Sequence, residues 1–318
     1  MKYMGAIDIG GTKTMVGIVD SSAGILVKHH FTTHTTDCYA HFADCCTRLN
    51  ECLSELNLTL NDLEGIGVNM PGMVDAPTGI LLQAPFAGWY DIDVKGYFGR
   101  MFGTEIYVEN DVNSCAAGEL VFGNPCDNFL WVTVSTGIGG AIIIDRRLVY
   151  GHNSCAGEIG HVKVEYEHPA RCSCGQWGCA EAHGSGTAIT RMFAEKVQAD
   201  KALAEILSTK NLSADAKTCA LLAHEGNRTA IEVFHTAGKY IGRALSYAAN
   251  LLNPHKIYIG GGVSDSLELL LPAIREEFAR ATITQCADIE IVKTALAYDA
   301  ALMGAAALAL TKGFTQPV

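Results

Sequence analysis

Two stretches of the chain share one pattern. Residues 6–20 (AIDIGGTKTMVGIVD) and 131–145 (WVTVSTGIGGAIIID) each run apolar and β-branched, break at a glycine-rich turn, and run apolar again to an Asp. β-Rich runs on both sides of a short glycine turn read as a β-hairpin. The hairpin recurs about 125 residues further on, which points to two related halves. Between them Phe42, Cys45, Leu49, Leu53 and Leu56 fall at helical spacing, which places Cys45 in or beside the core. Cys46 and Cys52 share that helix and read as small packing residues. Residues 66–70 and 106–108 predict short strands, and 112–122 a helix with small residues on one side. Residues 151–186 are irregular and rich in Cys, Gly and His. Helices are predicted over 187–199, 228–252 and 265–281, strands over 256–259 and 289–293, and a final small-residue helix over 299–311. Strands alternating with helices make an α/β chain, and the lack of a low-complexity linker predicts closely packed domains.

At 318 residues the chain has room for two domains or one large one. Hydrophobic residues make up 49% and charged ones 18%, the opposite of a disordered composition. Acidic residues outnumber basic ones 34 to 23, for a net charge of −11. A nucleic-acid phosphate backbone needs a basic face, so nucleic acid is not expected as a partner. Few apolar residues precede Asp8, and the apolar stretch 301–310 is too short to span a bilayer. Neither a secretory leader nor a membrane contact is expected, so the twelve cysteines read as reduced thiols of a cytoplasmic protein, some of them metal ligands.

Three glycine turns carry candidate chemistry. They lie at Asp8-Ile9-Gly10-Gly11-Thr12-Lys13, Ser135-Thr136-Gly137-Ile138-Gly139-Gly140 and Ile259-Gly260-Gly261-Gly262-Val263. Glycine lets the backbone approach a phosphate closely and present its N–H groups. A single such turn reads first as a plain hairpin; three together shift the balance toward phosphate binding. A Rossmann turn needs a helix after its glycines, whereas Ala141-Ile142-Ile143-Ile144 continues as strand, and no Walker sequence is present.

Glu109-Asn110-Asp111-Val112-Asn113 follows a predicted strand and opens a helix. Asp111 there either takes a proton from a substrate hydroxyl or caps the helix. His161, Cys172, Cys174 and Cys179 place one His and three Cys within 19 residues, enough for a closed tetrahedral zinc site. Unligated thiols are the alternative. Glu158 and Glu181 flank those ligands, so a bound metal would pin both carboxylates where they can accept hydroxyl groups.

With these motifs in place the sequence resembles the ROK sugar kinases, within the actin-like, hexokinase-type ATPase superfamily. The resemblance runs across nearly the whole chain. DIGGTK at 8–13 and STGIGG at 135–140 look like the two phosphate motifs, and IGGGV at 259–263 like the adenosine motif. GEIGH at 157–161 followed by CSCGQWGCAE at 172–181 looks like the ROK zinc signature. Ala116-Ala117-Gly118-Glu119 and Met303-Gly304-Ala305-Ala306 look like the paired hinge helices.

The resemblance implies a two-domain actin-like (RNase H-like) fold with an interdomain cleft, residues 1–112 plus 299–318 forming the smaller domain and 113–298 the larger. It implies an ATP-dependent hexose kinase, with glucose or a close relative first and the 6-hydroxyl as acceptor. N-acetylmannosamine, N-acetylglucosamine, fructose and allose are the alternatives, and a sugar-responsive regulator or pseudokinase the non-enzyme reading. It assigns Asp111 as general base, and Asn110, Glu158, His161 and Glu181 as sugar contacts. Asp8, Gly10, Gly11, Thr12, Lys13, Thr136, Gly137, Gly260, Gly261 and Gly262 are assigned to Mg²⁺-ATP. His161, Cys172, Cys174 and Cys179 are assigned to structural Zn²⁺. A homodimer or homotetramer is expected. One departure stands out: members often carry APNLGW before the base, and here Phe86 stands at the Asn of that run.

Overall fold

The first hairpin forms where its pattern places it. In the computed structural model, which describes residues 2–314, strand β1 (Tyr3–Ile9) runs antiparallel to β2 (Lys13–Asp20), and β3 (Ile25–Thr32) follows along the free side of β2. Helix α1 (Cys38–Glu55) is started by Asp37, whose carboxylate accepts the N–H groups of Tyr39 and Ala40. Strands β4 (Leu63–Met70), β5 (Met73–Asp75), β6 (Ile80–Ala84) and β7 (Trp89–Asp93), helix α2 (Val94–Phe102), strand β8 (Ile106–Asn110) and helix α3 (Asp111–Phe122) complete this part. The main sheet has the order β3-β2-β1-β4-β8, with β1, β4 and β8 parallel; β5-β6-β7 form a small separate sheet.

The second half repeats that order. Strands β9 (Phe129–Val134), β10 (Ile138–Ile144) and β11 (Arg147–Leu148) are followed by α4 (Ala180–Gly184), α5 (Gly186–Ala199), α6 (Lys201–Thr209), α7 (Ala216–His224) and α8 (Arg228–Leu252). Then come β12 (Lys256–Gly260), α9 (Leu267–Ala281), β13 (Glu290–Lys293) and α10 (Ala300–Thr311). This sheet runs β11-β10-β9-β12-β13, with β12 and β13 parallel, so each sheet is a hairpin extended on both sides in the same sequence.

The chain divides into two units. One comprises the described residues through Trp131, Ala141–Gly157 and those from Thr294; the other comprises Val132–Gly140 and Glu158–Lys293. In the first, α1 buries Phe42, Cys45, Leu49, Cys52 and Leu53 with Ile7, Ile9, Val16, Ile18 and Val68. Helix α10 packs Leu302, Met303, Ala305 and Ala306 against Met4, Ala6 and Met15. The small residues of α3 and α10 allow backbone to meet backbone: a β-carbon on Gly118 would lie 2.9 Å from the Gly304 nitrogen. This packing places α3 and the described part of 299–318 in the first unit; residues 315–318 lie outside the described residues. In the second unit α8 lies on α9, and Arg243 joins Glu277 of α9 at 2.8 Å and the Val164 carbonyl at 2.6 Å.

The periodicity reading did not include β3, the small sheet, α2, α6 or α7. The three helices are nine residues each and take their start from caps, Asp93, Asp200 and Asp215, rather than from a long apolar stripe.

Candidate functional site

In the first unit, the turn between β1 and β2 is closed by the Gly10 N–H donating to the Lys13 carbonyl at 3.0 Å. Thr12 and Gly11 are exposed, and Phe86 lies across Gly11, half-exposed and 6.0 Å from the Trp89 ring. Lys13 turns its ammonium to the Tyr298 hydroxyl at 3.2 Å. Asp8 sits buried at the end of β1, opposite Asn69 of β4. Burial, and then the charge of Asp111, push its carboxyl up to about 8. A buried carboxylate raised by the charge of a second acid makes a place that favours a cation.

Asp111 is the first residue of α3, and the cap before it is Asn110. The Asn110 oxygen accepts the N–H of Val112 and of Asn113 at 2.9 and 3.1 Å, while its NH₂ donates to Gly72 O and Asp111 Oδ1, both at 3.0 Å. Asn110 thus supplies the cap that the sequence offered to Asp111, and its amide is fully engaged. Two supports were not read from the sequence. Glu109 is buried, with its carboxyl raised by burial, and accepts from Asn113 Nδ2 and from the Tyr150 hydroxyl at 2.8 Å. The signal was present in Glu109 itself, an acid within an apolar strand.

In the second unit the Ser135–Gly137 turn is held from below. Gly186 N–H donates to Ser135 O at 2.7 Å, and Thr187 Oγ1 donates to Thr136 O at 2.8 Å. Beside it opens a cavity of about 740 Å³, lined by Thr136, Thr187, Lys217, Phe234, Gly262 and Asp265 among others. Its size and mixed lining suit a nucleoside. Of the third glycine run, Gly262 lines the cavity, Gly260 ends the buried strand β12, and Gly261 makes the turn at φ +84°, where a β-carbon would meet the Val134 carbonyl. Lys217 and Phe234 come from α7 and α8 and have no local signature.

Also in the second unit, His161, Cys172, Cys174 and Cys179 bring one ligand atom each within 4.8 Å of all the others. Cys174 Sγ and Cys179 Sγ are 3.7 Å apart, and Cys172 Sγ is 3.7 Å from His161 Nδ1. A tetrahedral ion with metal–sulfur bonds of about 2.3 Å sets its sulfurs about 3.8 Å apart, so this set fits a closed Cys₃His zinc site. Cys172 and Cys179 are buried, and two isolated β-bridges, Lys163 to Cys179 and Arg171 to Trp177, shape the knuckle. Lys163 Nζ lies 2.9 Å from Cys179 Sγ, a cation suited to a thiolate ligand. The other ring nitrogen of His161 faces Glu158 Oε2 at 3.7 Å, and Glu158 is exposed. Glu181 accepts from Ser173 Oγ at 2.6 Å and from the Ile138 N–H at 3.2 Å.

The sequence pattern of the ROK family matches residues 4–312. The chain is 33% identical to a glucokinase of Halalkalibacterium halodurans over 307 residues, 95% of this chain and 93% of that one. A ROK family glucokinase from Streptomyces griseus, solved in complex with glucose and AMPPNP, has the same fold with a TM-score of 0.84 at 30% identity, covering 97% of this chain and 99% of that one. The xylose repressor of Bacillus subtilis is 29% identical over 251 residues, 78% of this chain and 61% of that one. The fold is therefore the α/β fold of the actin-like ATPases, and the chain belongs to the ROK family.

Proposed function

We propose that this sugar kinase transfers the γ-phosphoryl group of Mg²⁺-ATP to the 6-hydroxyl of glucose or a close relative. The placement of Asp111 carries the reading. It stands at the N-terminus of α3 in the same unit as Asp8, on a segment fixed by Asn110 and Glu109. The glucokinases of similar sequence and fold support the substrate.

Asp111 takes the proton of the attacking hydroxyl, a contribution of about 10²–10⁴-fold. Glu158, the outer nitrogen of His161 and Glu181 hold ring hydroxyls. Asn110 acts by fixing the backbone around Asp111, since its amide is already occupied. Backbone N–H groups inside the two turns, those of Gly11 and Thr12 and of Thr136 and Gly137, donate to phosphate oxygens, with the nucleoside beside Gly262. Asp8 supplies the negative charge for Mg²⁺. Phosphoryl transfer asks mainly for position and charge stabilisation, which these groups provide. His161, Cys172, Cys174 and Cys179 would hold zinc, which supplies a structural cross-link fixing the His161 ring. ATP as donor places the reaction in the cytoplasm, and the low share of charged residues is compatible with a homodimer or homotetramer.

The test is ADP release with Mg²⁺-ATP and a panel of glucose, mannose, fructose, allose, N-acetylglucosamine and N-acetylmannosamine, against a blank without sugar. Turnover with glucose or mannose well above the blank supports the reading. Turnover with an N-acetylhexosamine alone replaces the substrate. Sugar binding without turnover replaces the kinase by the second reading, a sugar-responsive regulator, which the xylose repressor similarity favours.

A further inference from the structure

A buried histidine far along the sequence from every motif is tied to the first glycine turn. His41 lies on α1 with no exposed surface, as does Thr14 on β2. Their side chains meet at 2.8 Å between His41 Nε2 and Thr14 Oγ1. Thr14 Oγ1 is 2.9 Å from Thr33 Oγ1, and Thr33 Oγ1 donates to the carbonyl of Gly10 at 2.7 Å.

The protons in this chain have one arrangement. Thr33 has a single hydroxyl proton, and Gly10 O takes it. Thr14 must then donate to Thr33, so His41 Nε2 must carry the proton that reaches Thr14. That leaves His41 Nδ1 as an acceptor, and it faces the backbone N–H of His34 at 3.4 Å. Every member is a neutral group with its bonds satisfied, which rigidifies a buried network.

The far end of the chain is the phosphate turn. The Thr33 hydroxyl ties down the carbonyl of Gly10, its N–H ties down that of Thr12 at 3.0 Å, and Gly10 N–H ties down that of Lys13. With three carbonyls held, the turn keeps its oxygens away from an incoming anion, the arrangement of a backbone anion nest. We propose that His41, Thr14 and Thr33 form a directional relay that sets the Gly10–Lys13 turn for phosphate, with His41 as a positioning residue. This rests on the reading of that turn as a phosphate site.

The relay requires neutral His41. Burial, then the charge of His34, hold the ring down at about 4, and Asp44 opposes them. The other groups packed on the ring, Phe31, Trp89 and the Cys45 thiol, carry no charge. A second proton would sit on Nδ1 against the His34 N–H and force the relay open.

The test uses the full chain. Thr33→Val keeps the shape and removes the donor to Gly10. It is expected to raise KM for ATP about tenfold, the loss of one buried hydrogen bond, with KM for sugar within about twofold. Hydrogen exchange without nucleotide at Gly10, whose N–H is bonded to the Lys13 carbonyl, should quicken in the same variant. His41→Gln, which retains an N–H donor and cannot be protonated, should restore a near-normal KM for ATP and abolish any rise in that KM toward pH 4. Thr33→Val with unchanged exchange at the turn and unchanged KM overturns the relay, as does the failure of His41→Gln to differ from His41→Phe. If ATP gives Gly11 and Thr12 no protection in the unmodified protein while Thr33→Val still quickens exchange at Gly10, it is the phosphate reading that fails.

Discussion

The carboxylate of Glu181 rests against Gly137. Its Oε2 accepts the N–H of Ile138 at 3.2 Å, and a β-carbon on Gly137 would run into that same oxygen. The other oxygen reaches Ser173 and the Cys172 thiol. One side chain therefore joins the second glycine turn to the Cys/His loop. Gly137→Ala should push the Glu181 carboxylate off the Ile138 N–H, lowering kcat/KM by about tenfold, the loss of one charged hydrogen bond, with zinc content unchanged. Steady-state kinetics with metal analysis checks this; a variant with normal kcat/KM would mean that the carboxylate swings clear at no cost.

Asp111→Asn removes the base and keeps a side chain of the same shape. The fold and metal content should persist while kcat falls about 10²–10⁴-fold. Retention of more than about a tenth of kcat is incompatible with general-base catalysis by Asp111, because a tenfold loss falls an order of magnitude short of the lower end of that contribution.

The ligand spacing predicts about one zinc ion per chain by metal analysis. Cys174→Ser should lose most of it, with weaker sugar binding, because His161 presents one nitrogen to the cluster and the other toward Glu158. Metal-free protein of full activity would show that the knuckle holds its shape through its β-bridges alone.

Asp8 gives a pH signature. Its carboxyl is raised from 3.8 to about 8 in the folded chain, by burial first and by Asp111 second. Between those values the folded chain holds a proton that the unfolded chain has released. Stability from this group is therefore greatest in acid and is lost as pH rises toward 8. Thermal unfolding of Asp8→Asn should gain on the unmodified protein steadily from pH 5 to pH 8, without nucleotide or Mg²⁺. A constant difference across that range would mean that Asp8 is ionised when folded.

Much of the site was written locally. The glycine turns, the Glu109–Asn113 segment and the Cys/His run are each contiguous or nearly so, and a hairpin turn or a metal knuckle is decided by neighbours in sequence. The cap on α3 shows where local reading stops. Both Asn110 and Asp111 are good capping residues. Asn110 takes the place because its NH₂ also reaches Gly72, which lies on another strand connection. The same limit hid Tyr150 behind Glu109, and Lys217 and Phe234 behind the nucleoside cavity.

The sequence by itself determined the two hairpins, the long helices and the apolar face of α1, and it named the candidates for chemistry. These follow from periodicity and from the spacing of reactive groups. Tertiary structure decided the rest: that Asp8 is buried beside Asp111, that His161 divides its two nitrogens between a cluster and Glu158, and that His41 reaches Gly10 through two threonines. Burial and hydrogen-bond direction depend on strands and helices distant along the chain, and so on packing that no local pattern encodes.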